Sequence, residues 1–275
     1  MSARPRSGPS PRKLAAERRR RRSTIAIVLE RLGERYQHPQ WSAPRLDATS
    51  ELVLTILSQN TSDTNSARAF ELLRGAYADW DAVLAAPTDE LADVIRPGGL
   101  ANVKAPRIQA VLAEVRDAPG AEPYDLSFLG SLALENAKAW LAGLPGIGPK
   151  TAAIVLLFGF GRPALPVDTH VFRVATRLGL LPPRTDVVRA HALLEASLDV
   201  DEVYPFHVEL IRHGREVCHA RRPACEACPL IDVCGYYREV VSRAPVPRGA
   251  RRRASEVSDP AAWREKLLHG ALPPK

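Results

Sequence analysis

The chain has 275 residues, 45% of them hydrophobic, enough for one large domain or two modest ones. No apolar run approaches the roughly 18 residues of a membrane span. The short run at 25–29 is followed by Glu30 and Arg31 where a signal peptide needs small residues, so a soluble, intracellular protein is expected. A formal charge of +7 points to an acidic polymer as partner, but residues 1–22 carry a net +8 and 238–253 a net +5, while 23–237 carry a net −6. Any DNA-binding face in the folded part must therefore be a local patch.

In chain order, residues 1–22 are rich in Arg, Pro and Ser and read as a disordered, self-repelling tail. A dedicated DNA-binding arm and an organelle transit peptide are the other readings of such a block. From about residue 24, Ile25, Val28, Leu29 and Leu32 have helical spacing. Thr49 or Ser50 would cap a helix over 49–60 that buries Leu52, Val53, Ile56 and Leu57. A helix over 63–77 follows, then another starting at residues 87–90. Pro97-Gly98-Gly99 breaks the chain before a helix at about 103–116, residues 120–130 read as a loop, and helical periodicity resumes near 131. Alternating Val/Ile/Thr-rich stretches are nearly absent, so the expected fold is all-α. The end from 242 reads as a loosely attached tail.

Residues 144–152, Leu-Pro-Gly-Ile-Gly-Pro-Lys-Thr-Ala, join a short helix at 136–144 to an apolar helix at 151–160. Gly146 and Gly148 permit backbone conformations closed to other residues, and Pro149 suits the first position of the second helix. The turn then aims free N–H groups outward beside a helix N-terminus, a ready site for a DNA phosphate; the alternative is a Gly-Pro turn joining two core helices. Lys150 falls in the first turn of that helix, where a cation opposes the helix dipole. The same field favours the neutral amine, partial burial would add to it, and a neutral amine can attack a sugar carbon and form a Schiff base. Taken alone, a lysine beside such a hairpin is more often a phosphate contact. Asp168 precedes an amphipathic helix bearing Val171, Val174 and Leu178, so it suits an N-cap. Facing a lysine, it could also stabilise positive charge on a sugar or shuttle the amine's proton.

All four cysteines, Cys218, Cys225, Cys228 and Cys234, fall within 17 residues. Such clustering favours a metal or cluster site over disulfides, and four thiolates suit either tetrahedral zinc or a four-iron cluster. Arg221 and Arg222, in the first loop, are placed to meet DNA phosphates; the alternative is a structural clip with two solvated arginines.

Together these segments resemble the endonuclease III branch of the helix-hairpin-helix glycosylase superfamily. The resemblance rests on residues 144–152, on Val167-Asp168-Thr169-His170-Val171-Phe172-Arg173-Val174, and on His213-Gly214-Arg215 leading into the cysteines. Leu57-Ser58 with Asp63, and Gly99-Leu100 with Asn102 and Lys104-Ala105, extend it over about 28–237. It implies two helical domains: a six-helix domain over 48–163, inserted into a second domain formed by 23–47 and 164–241, with tails at 1–22 and 242–275 and DNA in the cleft between. It implies a [4Fe-4S] cluster at the cysteines rather than zinc. It implies that Lys150 displaces a damaged base by attack on C1′ of a flipped-out nucleoside, with Asp168 as partner, and that β-elimination then breaks the strand. Substrates would be oxidised pyrimidines in double-stranded DNA, handled by a cytoplasmic monomer at the bacterial nucleoid, with Leu100 as a wedge in the duplex.

The chain departs from that pattern at Asn60, where the family commonly has a glutamine filling the gap left by the flipped base; Gln59 is adjacent and either could serve. Pro149 stands where a basic residue is frequent. Leu54 occupies about the place of the catalytic glutamate of the related adenine glycosylases, and the short stretch beyond the cysteines leaves no room for their extra domain, which excludes that reading. The competing functions are a non-catalytic DNA-binding module that recognises damage shape and a lyase with little glycosylase activity.

Overall fold

The computed structural model describes residues 10–242, and every regular element among them is helical. The chain divides into two compact units: residues 10–39 with 169–242, and residues 40–168. The divisions expected near 48 and 163 thus fall at 40 and 168. The C-terminal tail expected from 242, like residues 1–9, lies outside the described residues.

The first unit begins with α1 (Pro11–Tyr36). Ile25, Val28, Leu32 and Tyr36 form its buried stripe, three or four residues apart. The helix starts inside the stretch expected to be a disordered tail. Its arginines are not merely self-repelling: Arg22 pairs with Asp199 and Glu202 at 2.7 and 2.8 Å, Arg21 donates to the Leu180 carbonyl at 2.7 Å, and Arg18 to that of Ala196 at 3.3 Å. Partners distant in sequence hold three arginines of a block that a local charge count reads as unfolded.

In the second unit, α2 (Ala48–Ser58) is buried on every side from Thr49 to Leu57. A helix buried on every side belongs at the centre of a bundle. Its cap is Asp47, whose carboxylate accepts from the Ser50 N–H at 2.8 Å and from the Ser50 hydroxyl, so the expected caps Thr49 and Ser50 lie inside the helix. Around it come α3 (Asp63–Ala76), α4 (Trp80–Ala85), α5 (Thr88–Val94), α6 (Ala101–Arg116), α7 (Leu134–Gly143) and α8 (Pro149–Phe160). That makes seven α-helices among the described residues of the second unit, where six are expected, α4 being only six residues long. The 120–130 loop contains a 3-10 turn at Ser127–Gly130. Like α2, α8 is buried nearly throughout and packs against it.

The chain then returns to the first unit with α9 (Thr169–Leu178), α10 (Val187–Glu195) and α11 (Val203–Glu216). α11 packs against α1 and α9. Glu209 on α11 is fully buried, and neither carboxylate oxygen has a hydrogen-bond partner among the described residues. Burial pushes its carboxyl up to about 8, against a partial opposing pull from Arg212. Between the ordinary carboxylate value and 8 the folded state binds the extra proton, so stability should fall as pH rises through that window. Glu209→Gln should flatten the fall and raise the melting temperature at pH 8 by several degrees. Thermal melts from pH 5 to 8.5 check this; parallel curves for both proteins would refute it.

Candidate active site

α2 and α8 set one end of the second unit. The C-terminus of α2 meets the N-terminus of α8 there, where Gln59 Nε2 donates to Thr151 Oγ1 at 3.4 Å. Residues 144–148 turn the chain from α7 into α8. Ile147 is buried and anchors the turn, and its N–H donates to the Leu144 carbonyl at 3.1 Å, while Pro145, Gly146, Gly148, Pro149 and Lys150 are exposed.

The two glycines differ in role. Gly146 has φ 71°, and a Cβ there would strike the Arg107 side chain. Gly148 has φ −99°, a conformation open to any residue, and a Cβ there would meet nothing. The expectation that both serve unusual backbone conformations therefore holds only for Gly146; Gly148 leaves the approach to the helix end bare. The N–H groups of Gly146, Gly148, Lys150 and Thr151 have no partner among the described residues, which makes the turn an anion cradle.

Lys150 is exposed and makes no hydrogen bond or ion pair among the described residues. The partial burial expected to favour its neutral amine is absent. Asp168 is half-buried, directly before α9, at the end of the buried stretch Ala164, Leu165, Pro166 and Val167 that leaves α8. Both residues belong to the second unit, but no bond joins them directly.

Two more predicted residues flank this end. Asn60 is exposed with φ 56°, a left-handed conformation that asparagine tolerates well. Gln59 is instead committed inside the protein: besides its bond to Thr151, its Oε1 accepts from Arg107 Nη1 at 2.8 Å. Leu100, preceded by Gly99 at φ 67°, has φ 51° and is 55% exposed. A leucine in that conformation costs about 1–2 kcal/mol, and an apolar side chain held there in solvent is strain stored at a candidate site.

In the first unit the four cysteines are half-buried in a loop around the 3-10 turn Cys225–Ala227. Burial pushes the thiols of Cys225 and Cys234 up, and that of Cys228 up to about 11; the neighbouring thiols add to the effect, so the four converge. Three sulfurs face polar groups. Arg177 Nη1 donates to Cys218 Sγ at 3.3 Å, the Tyr237 N–H to Cys234 Sγ at 3.5 Å, and His213 Nε2 lies 3.5 Å from Cys228 Sγ. Donors aimed at sulfur are what thiolate ligands of a cluster require. No three His, Cys, Asp or Glu side chains among the described residues are set around one ion, whereas a four-iron cluster gives each sulfur its own iron. Arg221 and Arg222 are exposed in this loop, Arg222 at φ 52°.

The HhH-GPD superfamily base excision DNA repair protein family matches residues 53–197, and the iron-sulfur binding domain of endonuclease III matches residues 218–234. The chain belongs to the endonuclease III family. It is 36% identical to endonuclease III of Thermotoga maritima over 68% of this chain and 82% of that one. It is 33% identical to a putative DNA glycosylase of Arabidopsis thaliana over 69% of this chain, spanning 66% of the plant protein. Among solved structures, a trapped endonuclease III–DNA covalent intermediate matches with a TM-score of 0.67 and 28% identity, over 79% of this chain and 97% of that one. The family is one of base excision repair DNA glycosylases and lyases, binds DNA, and carries a [4Fe-4S] cluster at these cysteines.

Periodicity misses several groups that organise these sites. Arg177 also donates to the His219 and Ala220 carbonyls at 2.7 and 3.0 Å and stacks on Tyr236 at 4.6 Å. Arg173, one turn earlier, donates to the carbonyls of Cys218 and Gly214 at 3.0 and 2.8 Å. Their i, i+4 spacing on the polar face of α9 is the one sequence sign of a shared partner. Arg107 carries no such sign.

Proposed function

We propose that this glycosylase acts on oxidised pyrimidines in duplex DNA and nicks the abasic product, with Lys150 as nucleophile and Asp168 as its carboxylate. The observation that carries this reading is an exposed, uncommitted Lys150 in the first turn of α8, beside four N–H groups that await an anion. The cradle takes a phosphate flanking the lesion, and the exposed glycines let the backbone approach it. Asn60 fills the gap left by the flipped base, because Gln59 is held by Arg107 and Thr151. Leu100 wedges into the stack, and Arg221 and Arg222 contact phosphates.

Asp168, while ionised, steadies the positive charge that develops on the sugar; the proton that Lys150 Nζ gives up on bonding to C1′ passes to Asp168 and on to the departing base. The N-glycosidic bond breaks and the base leaves protonated. Ring opening gives a Schiff base between Nζ and C1′; loss of a C2′ proton then expels the 3′ phosphate and cuts the strand. Cys218, Cys225, Cys228 and Cys234 would hold the cluster, and their ligation would fix the loop that bears Arg221 and Arg222. One chain serves each lesion, at the nucleoid; no helix among the described residues is long and apolar enough to cross a membrane.

The test is a duplex oligonucleotide carrying one oxidised pyrimidine. Free base and a strand break should both appear. A nick at a preformed abasic site without base release would reduce the enzyme to a lyase, and neither product would leave a binding module.

A further inference from the structure

Lys104 lies in the first turn of α6 and is 2% exposed. Its Nζ donates to the Leu57 carbonyl at 2.7 Å and to the Gly98 carbonyl at 2.8 Å. Leu57 belongs to the last turn of α2, whose carbonyls lack intrahelical donors. Gly98 ends the 3-10 turn Arg96–Gly98. The backbone N–H of Lys104 donates to the Leu100 carbonyl at 2.9 Å. One residue therefore grips the end of α2 and, at two points, the turn at 98–100.

Asn60 stands three positions beyond Leu57, and Leu100 two beyond Gly98. Both are exposed, left-handed residues assigned above to the opened base stack. An isolated buried ammonium is costly and persists where its protons have acceptors. An apolar side chain of similar length would fill the space without that cost, but it could not tie the end of α2 to the turn at 98–100. Burial, with Arg107 adding repulsion, brings the Lys104 amine down to about 8, still mostly charged at neutral pH.

We propose that Lys104 is a positioning residue that fixes the spacing between Asn60 and Leu100, so that both enter the duplex together when a base is flipped. This rests on the reading of Asn60 and Leu100 given above. Lys104 touches no DNA; it acts through the two loops. The loops must insert in concert, and a misplacement of about 1 Å in a reacting geometry costs on the order of 100-fold.

A purely stabilising lysine and a positioning lysine differ in which step they support. Opening a base pair needs both loops, whereas Schiff-base formation on a single-stranded abasic oligonucleotide needs neither, since there is no stack to open. The full-length, cluster-loaded wild type and Lys104→Met are compared in three assays: borohydride trapping on that single strand, base release from an oxidised-pyrimidine duplex, and fluorescence of a 2-aminopurine beside the lesion, which reports unstacking. The proposal expects trapping within about twofold of wild type, duplex base release down by about 10- to 100-fold in kcat with KM little changed, and a weakened unstacking signal. Equal losses in trapping and release, or no loss in either, would overturn it in favour of general support. If Lys104→Met fails to fold, Lys104→Gln, which keeps two N–H donors, is read by the same ratio. Failure of the wild type to release base from the duplex would instead refute the functional reading beneath it.

Discussion

Lys150→Ala should abolish borohydride trapping on an abasic duplex and lower strand cleavage by about 10,000-fold or more, while leaving the fold intact. The size follows from removal of a covalent nucleophile, whose loss is of this order when no neighbour replaces it. Fold retention follows from geometry, because the side chain is exposed and bonds to nothing among the described residues. A cation in a first helical turn opposes the dipole by about 0.3–1 kcal/mol, so the variant should melt at or slightly above the wild-type temperature. Lys150→Arg separates the two roles open to this position. It keeps the charge for a phosphate but supplies no nucleophile, since guanidinium stays protonated. Duplex affinity should therefore stay within about threefold of wild type with no trapped adduct, an expectation that follows from keeping the phosphate contact. If Lys150→Ala still traps, the nucleophile lies elsewhere; if Lys150→Arg traps as well as wild type, the amine chemistry assigned here is wrong.

Much of this arrangement is legible in the sequence because it rests on local rules. The all-α fold follows from helical spacing and missing strand alternation, and the apolar runs in α2 and α8 mark helices buried all round. The turn at 144–149 announces itself through Gly and Pro, and the cysteines through spacing. What escapes is set by partners far away in the chain. The arginines of α1 read as a repelling block because the partners of Arg18, Arg21 and Arg22 are 159 to 180 residues distant. Asp47 caps α2 although two later hydroxyl residues offer the same chemistry. Gln59 and Asn60 are equivalent on paper; only Arg107 and Thr151, holding the first, decide between them. Lys104 matches the family pattern, but its two carbonyl partners appear only in the fold. The exposure of Lys150 is likewise tertiary information, and it removes burial from the reasons for expecting an activated amine.

Asp168→Asn isolates charge from architecture, because Asn and Asp cap helices about equally well. Any support Asp168 gives to the start of α9 should survive, and the melting temperature should stay within about 2 °C of wild type. Duplex binding should also persist, since a carboxylate contributes nothing attractive to a polyanion. What disappears is the negative charge beside the reacting sugar and the acceptor for the Lys150 proton. General base and electrostatic contributions of this kind are each worth about 100- to 1,000-fold or more, so single-turnover base release should fall by about 100- to 10,000-fold. Asp168→Ala adds a capping loss of about 0.5–2 kcal/mol, visible as a lower melting temperature without a much slower reaction than Asp168→Asn. The comparison of rate with melting temperature across the two variants decides the assignment. A helix cap predicts that only alanine does harm, and through stability; a catalytic carboxylate predicts that asparagine already removes nearly all of the activity from a protein that is otherwise intact.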